Sequence, residues 1–170
     1  MAIDTGIGIT FSTVSTTQQA PLGFTFSEPA SQRQAVASQG IRQWIYVKAG
    51  AALAAGDVCV RQAGAANYGD PTVAATGPIL CVIGSASQRV VGVAQHVIAQ
   101  NSYGFILRTG IGTLSVESSG CSADTPLRPD ALGDARDTVA ALTDVSFAWA
   151  LATVAAGAGN TVKAVLTCVG

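Results

Sequence analysis

Short stretches in which side chains alternate between two faces recur along the chain from residue 41 onward. In segment 42–48, RQWIYVK, Trp44 and Tyr46 fall on one face, and Ile45 and Val47 fall on the other. Alternation with aromatic and β-branched residues is typical of a β-strand. The same pattern predicts further strands at 57–62, 78–83, 88–95, 103–108, 111–117, 145–153 and 161–169.

Gly, Pro, Asn and Asp residues occupy the gaps between these stretches. Many short strands at short spacing predict an all-β fold, a compact β-barrel or sandwich of mostly antiparallel strands. A short helix at 49–55 or 131–141 is an alternative, but neither segment has convincing capping residues.

The predicted strand at 145–153 has no polar face. Phe147, Trp149 and Leu151 point to one side, and three alanines point to the other. We therefore expect both faces to be covered, by a second sheet or by a neighbouring subunit. The candidates for core or subunit-interface positions are Trp44, Tyr46, Phe147 and Trp149.

The first forty residues differ in composition from the rest of the chain. Residues 5–27 carry no charge, and eleven of these 23 residues are Ser, Thr or Gln. Apolar side chains occur singly among them, too sparsely for a core and too regularly for a simple solvated tail. We predict an extended N-terminal arm at 1–40 and a β-rich core domain at 41–170. A disordered terminus is the alternative interpretation of the arm.

A weak internal repeat links two parts of the core domain. Segment 93–99, VAQHVIA, is followed by a turn and the strand YGFILRTG. Segment 149–155, WALATVA, is likewise followed by a turn and the strand TVKAVLTCVG. The loop at 54–57, AAGD, echoes both segments. Each unit has the order strand, Ala-containing turn, strand, although the match is too short to establish a duplication.

Charge is scarce throughout the sequence. Charged residues make up 11% of the chain, hydrophobic residues make up 49%, and the net charge is −1. An average soluble domain has about 25% charged residues. This balance argues against a nucleic-acid-binding protein, which needs a basic surface, and against a disordered chain. So apolar a chain is expected to bind copies of itself or a larger surface.

No secretory or membrane-spanning segment is predicted. The N-terminus has no basic residue before its apolar positions, and Asp4 interrupts them, unlike a signal peptide. Residues 145–162 carry no charge, but Gly, Ser, Thr and Asn residues interrupt them. A spanning helix needs about 20 strongly apolar residues. We therefore interpret this stretch as strand, turn and strand.

Catalytic and metal-binding signatures are weak. His96 is the only histidine and no GxSxG motif accompanies it, so we expect a structural role and no enzyme activity. Asp124, Asp130, Asp134 and Asp137 lie close together but do not match an EF-hand calcium loop. We expect a solvated, partly ion-paired loop here, with a nonstandard cation site as the alternative. No cofactor and no metal are expected.

The four cysteines have no metal-ligand spacing. No two of them are closer than 22 residues, so there is no CxxC pair. Three lie in apolar, strand-like runs, which indicates buried thiols. A disulfide between neighbouring strands is the alternative. The four are Cys59, Cys81, Cys121 and Cys168.

Three segments resemble a family of small structural proteins of tailed bacteriophages. Segment 42–60, RQWIYVKAGAALAAGDVCV, resembles the family's aromatic strand and its Ala- and Gly-rich loop ending in Gly-Asp-Val. Segment 90–110, VVGVAQHVIAQNSYGFILRTG, resembles its Val-Gly-Val-Ala stretch, Ala loop and Tyr-Gly strand. Segment 148–166, AWALATVAAGAGNTVKAVL, resembles its last hairpin. The order of the segments is more specific than any one of them, and PLGFTF at 21–26 resembles the stretch preceding the first strand.

Proteins of this kind are similar to capsid decoration proteins, also called cement proteins. The resemblance implies a small β-rich core, a homotrimer on the outside of the phage head, and terminal arms that bind the major capsid protein. It implies a place in the virion after assembly in the bacterial cytoplasm. The Thr- and Gln-rich first twenty residues depart from the family pattern. The candidate capsid contacts in the arm are Phe11, Leu22, Phe24 and Phe26.

The alternative function is that of another virion component. A tail, neck or fibre-base module would fit the same composition, as would a head ornament that binds glycans through exposed aromatic rings. The candidates for stacking on sugars are Trp44, Tyr46 and Tyr68.

Overall fold

The computed structural model describes residues 8–28, 41–61, 79–81, 90–130, 133–137 and 146–168, with the backbone alone for 61 and 79–81. These residues form strands, turns and isolated bridges, so the fold is all-β as predicted. Within them, no helix is long and apolar enough to cross a membrane. The strands are β1 (Thr25–Glu28), β2 (Arg42–Ala49), β3 (Val58–Arg61), β4 (Ile79–Cys81), β5 (Val90–Val93), β6 (Tyr103–Ser115), β7 (Pro126–Pro129), β8 (Ala135–Asp137), β9 (Ala148–Ala150) and β10 (Thr161–Thr167).

Most predicted strands are present, but several have different bounds. The two strands predicted at 103–108 and 111–117 form one continuous strand, β6. Gly110 lies between them with a φ of 100°, a conformation that favours glycine, and its pairing with β10 continues. The strand predicted at 145–153 is shorter, because the regular pairing of β9 ends at Ala150.

Three strands occur where the sequence pattern does not predict them. Strand β1 lies within the predicted arm and pairs with β2 in the core sheet. Strands β7 and β8 form a hairpin in the Asp-rich segment that was expected to be a solvated loop. The alternative helix at 49–55 is wrong, because these residues form a strand end, bends and turns. Of the helix considered at 131–141, the described part contains β8, and the rest lies outside the described residues.

The five strands β2 to β6 pair in a closed ring, which we call the first barrel. Strand β2 pairs with β4 in parallel and with β6 in antiparallel fashion. The ring continues through antiparallel β4–β3, β3–β5 and β5–β6 pairs. A closed ring satisfies the backbone groups that an open sheet edge would leave unpaired. One buried cluster, containing Ile45, Val47, Cys59, Val91 and Ile106, fills this barrel.

The C-terminal half forms a second ring, the second barrel, that shares β6. The second half of β6 pairs with β10, and the ring continues through β10–β9, β9–β7 and β7–β8 pairs, all antiparallel. A parallel bridge between Val116 and Ala135 brings β8 back to the end of β6. The same parallel contact closes the first barrel, where β2 meets β4.

The connecting turns show that the two barrels repeat one structure. An antiparallel bridge joins Leu53 to Ile98 in the first barrel, and the equivalent bridge joins Cys121 to Val154 in the second. In both barrels the bridge is followed by a turn leading into the next strand. The structure therefore supports the duplication that the weak sequence repeat suggests.

Hydrogen bonds and backbone angles repeat in the same way. The Gly56 N–H donates to the Ala94 carbonyl at 2.7 Å, and the Asp124 N–H donates to the Ala150 carbonyl at 2.9 Å. Gly56 and Asp124 occupy equivalent positions, and both have positive φ, 100° and 60°. Gly and Asp both tolerate this left-handed conformation in turns, so the two turns have the same backbone form.

Candidate functional site

The N-terminal segment, defined here as residues 8–28, lies against the first barrel. The Phe11 ring stacks on Trp44 with ring centroids 4.6 Å apart. Phe24 meets Phe105 edge-on at 6.4 Å. Such aromatic pairs contribute about 0.5–1.5 kcal/mol beyond the area they bury. The segment thus covers aromatic side chains of β2 and β6.

A buried ion pair fixes the end of this segment. Glu28 is buried, and its carboxylate accepts two hydrogen bonds from the Arg42 guanidinium, at 2.7 and 2.8 Å. The Trp44 indole N–H also donates to Glu28, at 3.2 Å. A charge-assisted, two-point pair of this kind sets geometry as well as energy, so it holds β1 in register on β2.

Backbone hydrogen bonds continue the contact beyond β1. The Gly23 N–H donates to the Tyr46 carbonyl and the Tyr46 N–H donates to the Phe24 carbonyl, both at 2.8 Å. The Tyr46 hydroxyl accepts from the Gln19 N–H at 3.0 Å. Burial raises the pKa of Tyr46 above its ordinary value, so the hydroxyl stays neutral at physiological pH.

This arrangement changes the interpretation of the predicted arm. The arm was expected to extend over 1–40, yet its residues 25–28 belong to the core sheet. The four candidate capsid contacts are partly buried against the core of their own chain. Part of the apolar surface of these side chains, which was expected to contact a capsid, therefore packs against their own subunit. Residues 1–7 and 29–40 lie outside the described residues, and capsid contact by the arm stays a prediction. The four are Phe11, Leu22, Phe24 and Phe26.

Four paired residues form a row across the outer side of the first barrel, which we call the first row. Val58 pairs with Val93, Val93 pairs with Leu107, and Leu107 pairs with Trp44. All four are buried, with at most 1% of their surface exposed. The first row is therefore part of the interior of the folded chain.

The second barrel has the same row at the equivalent positions, which we call the second row. Pro126 pairs with Trp149, Trp149 pairs with Val165, and Val165 pairs with Ile111. Trp149 is 45% exposed, and the other three are half-buried. Leu151, two residues along from Trp149, is 46% exposed. The second row is thus an open apolar strip across four strands.

The structure separates the four aromatic candidates for core or interface. Trp44, Tyr46 and Phe147 are buried within the chain, while Trp149 is exposed. Phe147 therefore does not share the open side of Trp149, although strict alternation places both on one face. Because Trp44 and Tyr46 are buried, they cannot stack on a sugar in this structure. Tyr68, the third sugar-stacking candidate, lies outside the described residues.

A polar cleft of about 430 Å³ opens beside the second barrel. Arg128 and Arg136 line it from opposite positions on β7 and β8, and Glu117 and Asp137 line it as well. Arg136 also pairs with Asp130 at 3.7 Å, so the segment is ion-paired as expected, although it is a hairpin. The lining carries two positive and two negative side chains, so it has no clear preference for an anion or a cation.

Several acidic residues lie in or near this hairpin. Among the described residues, no group of three or more His, Cys, Asp or Glu side chains could hold a metal ion. Burial, followed by the negative charges of Asp57, Asp130 and Glu117, raises the pKa of Asp134. The Asp137 carboxylate instead accepts hydrogen bonds from the Ser122 N–H at 3.0 Å and from the Thr125 hydroxyl at 2.8 Å.

The single histidine and three of the four cysteines have side chains among the described residues. Burial lowers the pKa of His96, and no group in the described residues hydrogen-bonds to its buried Nε2 atom. Cys59, Cys121 and Cys168 are buried thiols that form no disulfide with one another, and burial raises the pKa of Cys168 to about 12. A thiol with so high a pKa is a poor nucleophile. The side chain of Cys81 lies outside the described residues.

Comparison with known proteins gives a likeness of fold. No family model matches the sequence, and no curated protein matches it. Among solved structures, the chain resembles the crystal structure of the N base of head fiber gp8.5 in bacteriophage phi29. The likeness covers 75% of this chain and 97% of that chain, with a TM-score of 0.53 and 11% sequence identity. At this identity the likeness concerns the fold alone: this chain folds like the base of a phage head fibre.

Proposed function

We propose that this chain is a structural component of a tailed-phage virion, a decoration protein that binds the outside of the head and stabilises the shell. The observation that carries the proposal is the fold shared with the base of a phage head fibre. The three ordered sequence segments that resemble phage decoration proteins support it independently. The partner is the major capsid protein, and the chain acts by binding and not by catalysis.

The surface chemistry supports a binding role. Only 11% of the residues are charged, so ionic contacts contribute little to association. Hydrophobic residues make up 49% of the chain, and each apolar side chain that a partner fully buries contributes about 1.5–3 kcal/mol. A homotrimer, as the resemblance implies, would present each contact three times and so bind more tightly than one subunit.

A module at the base of a head fibre is the second candidate. The identity of the structural neighbour favours it, because that protein is itself a head-fibre base. Both candidates bind a phage head, but they differ in distribution. A decoration protein occupies repeated positions over the whole shell, whereas a fibre base occupies the positions of its fibres.

Binding to purified heads tests the proposal. The protein is mixed with expanded heads that lack it, and bound protein is measured after sedimentation. We expect saturation at a fixed copy number per head and little change between low and high salt. Heads that already carry the protein are the control and should bind no more. Lack of saturable binding would contradict both candidates, and electron microscopy of the saturated heads separates them.

A further inference from the structure

We infer that the second row is a self-association face that binds a second copy of this chain. The inference begins from the two equivalent rows of one molecule. In the first barrel the row is buried, while in the second barrel it is open, with Trp149 45% exposed at its centre. Identical strand pairings present the two rows, so their difference lies in what covers them.

The structure shows what covers the first row. Its Leu107 side chain packs against the second barrel, where a Cβ added to Gly112 would lie 2.6 Å from Leu107 Cδ2. The Val58 N–H donates to the carbonyl of Gly133, in the turn between β7 and β8, at 2.8 Å. Residues of the first row and of the second barrel belong to one continuous buried cluster. Most of the first row is therefore a docking face for another barrel of the same construction.

A second copy of the chain can supply such a barrel to the second row. Within one chain, the first row contacts the second barrel. When two chains associate, the second row of one chain would contact a barrel of the other chain in the same way. The N-terminal segment adds Phe11 over the Trp44 end of the first row, at 4.6 Å. Neither the second barrel nor this segment covers the second row, since Trp149 and Leu151 remain about half exposed.

The chemistry of the second row fits an interface between identical chains. The row consists of Ile111, Pro126, Trp149 and Val165 and carries no charge. The cores of homodimer interfaces are more apolar than other surfaces, depleted in charge and enriched in aromatic residues. A tryptophan at the centre of an apolar patch is the typical energetic hot spot. The low charge of the whole chain adds to this, because association removes apolar surface from water.

A charge placed in the row tests the inference. The variants are Trp149→Lys in the row and, as a matched control, Val97→Lys at an apolar position that is 69% exposed outside it. Mass is measured by light scattering and sedimentation over a dilution series. We expect the wild type and the control to be oligomers of a 17.0 kDa chain. Trp149→Lys should weaken association by at least about 30-fold, as loss of a hot spot does.

A second variant guards against misfolding. Val165→Thr replaces one methyl group of a half-buried row residue with a hydroxyl of similar size, and it should weaken association with an unchanged circular dichroism spectrum. A wild type that stays at the mass of one chain at all concentrations would overturn the inference. So would row variants that keep the wild-type mass. A monomeric wild type whose binding to heads requires Trp149 would also overturn it, and would assign the face to the capsid. Oligomerisation through Trp149 without head binding would instead contradict only the proposed function.

Discussion

The first and second rows are formed by equivalent strand pairings, but the first row is buried and the second row is partly exposed. Trp44 and Trp149 both lie in short strands of alternating pattern, one in each row. Trp44 is 1% exposed because Phe11 and neighbouring elements cover it, while Trp149 is 45% exposed. The comparison shows that the fold of a barrel determines which residues share its outer side. The next element in space determines whether that side belongs to the core or to an interface.

The two barrels also differ in which groups hydrogen-bond to the backbone at one strand edge. In the first barrel the backbone of Tyr46 pairs with the backbone of Gly23 and Phe24. At the equivalent place in the second barrel, the Gln95 side-chain amide donates to the Thr113 carbonyl at 2.9 Å and accepts from the Thr113 N–H at 3.0 Å. The Gln95 side chain thus provides hydrogen bonds to the backbone of the second barrel. The N-terminal segment provides the equivalent hydrogen bonds to the first barrel.

The largest expected effect comes from truncating equivalent residues of the two rows. Leu107→Ala should lower the free energy of unfolding by about 2–5 kcal/mol, because it leaves a cavity in a fully buried site. Val165→Ala should cost less than about 1 kcal/mol, because Val165 is half-buried. Urea unfolding of both in a Trp149→Lys background removes any contribution from a second copy. Equal costs would contradict the difference between the rows.

Removing the ion pair of β1 should have the next largest effect. Glu28→Ala leaves the Arg42 guanidinium and the Trp44 indole without their buried acceptor and should lower the free energy of unfolding by about 3 kcal/mol. Loosening the N-terminal segment should also change the fluorescence of Trp44. Thr25→Ala, at an exposed position of the same strand, is the control and should cost about 0.5 kcal/mol. Similar losses in the two variants would show that the segment is not held by Glu28.

Replacing the amide that caps the second barrel should have a smaller effect. Gln95→Leu leaves the N–H and carbonyl of Thr113 without these partners and should cost about 2 kcal/mol. The Thr113 amide should then exchange with solvent faster, which nuclear magnetic resonance can measure. The control is Gln100→Leu, whose side chain donates one exposed hydrogen bond to the carbonyl of Gly50. If Thr113 kept its protection in Gln95→Leu, the equivalence with Tyr46 would fail.

The sequence is most informative where alternation is strong. The pattern around Trp44 and Tyr46 predicts β2, because the aromatic and β-branched residues of this strand satisfy both of its faces. The hairpin of β7 and β8 is not predicted, because its Pro- and Asp-rich sequence becomes a strand pair only through partners distant in the chain, such as the bridge of Ala135 to Val116. The β-propensity of a local segment does not reveal such distant partners.

The second row escapes prediction for a related reason. Alternation predicts on which face of its own strand each of Trp149 and Val165 lies. It does not predict that β9 and β10 pair so that the two residues are neighbours. It also leaves open which of the two rows is covered, because that depends on the packing of the second barrel and the N-terminal segment. The alanines beside Trp149 do predict a closely packed inner face, and Ala148 and Ala150 are buried.

The smallest expected effect is a gain of stability where the two barrels meet. Asp134 lies near Asp57, Asp130 and Glu117, and burial together with these charges raises its pKa in the folded state. A carboxylate with a raised folded-state pKa disfavours folding at neutral pH. This penalty disappears as the pH falls through the folded-state pKa toward the ordinary value of 3.8. Asp134→Asn should therefore raise the free energy of unfolding by about 0.5 kcal/mol at pH 7.

The pH dependence of this difference is the sharper measurement. The gain from Asp134→Asn should shrink as the pH is lowered to about 4, because the wild-type carboxyl becomes protonated there. Burial lowers the pKa of His96, which costs stability below pH 6.5 in wild type and variant alike, so that contribution cancels. Thr25→Ala, an exposed substitution that changes no ionisable group, is the control, and its effect should not depend on pH. A gain that stayed constant from pH 7 to 4 would mean that the substitution acts through packing and not through repulsion between the barrels.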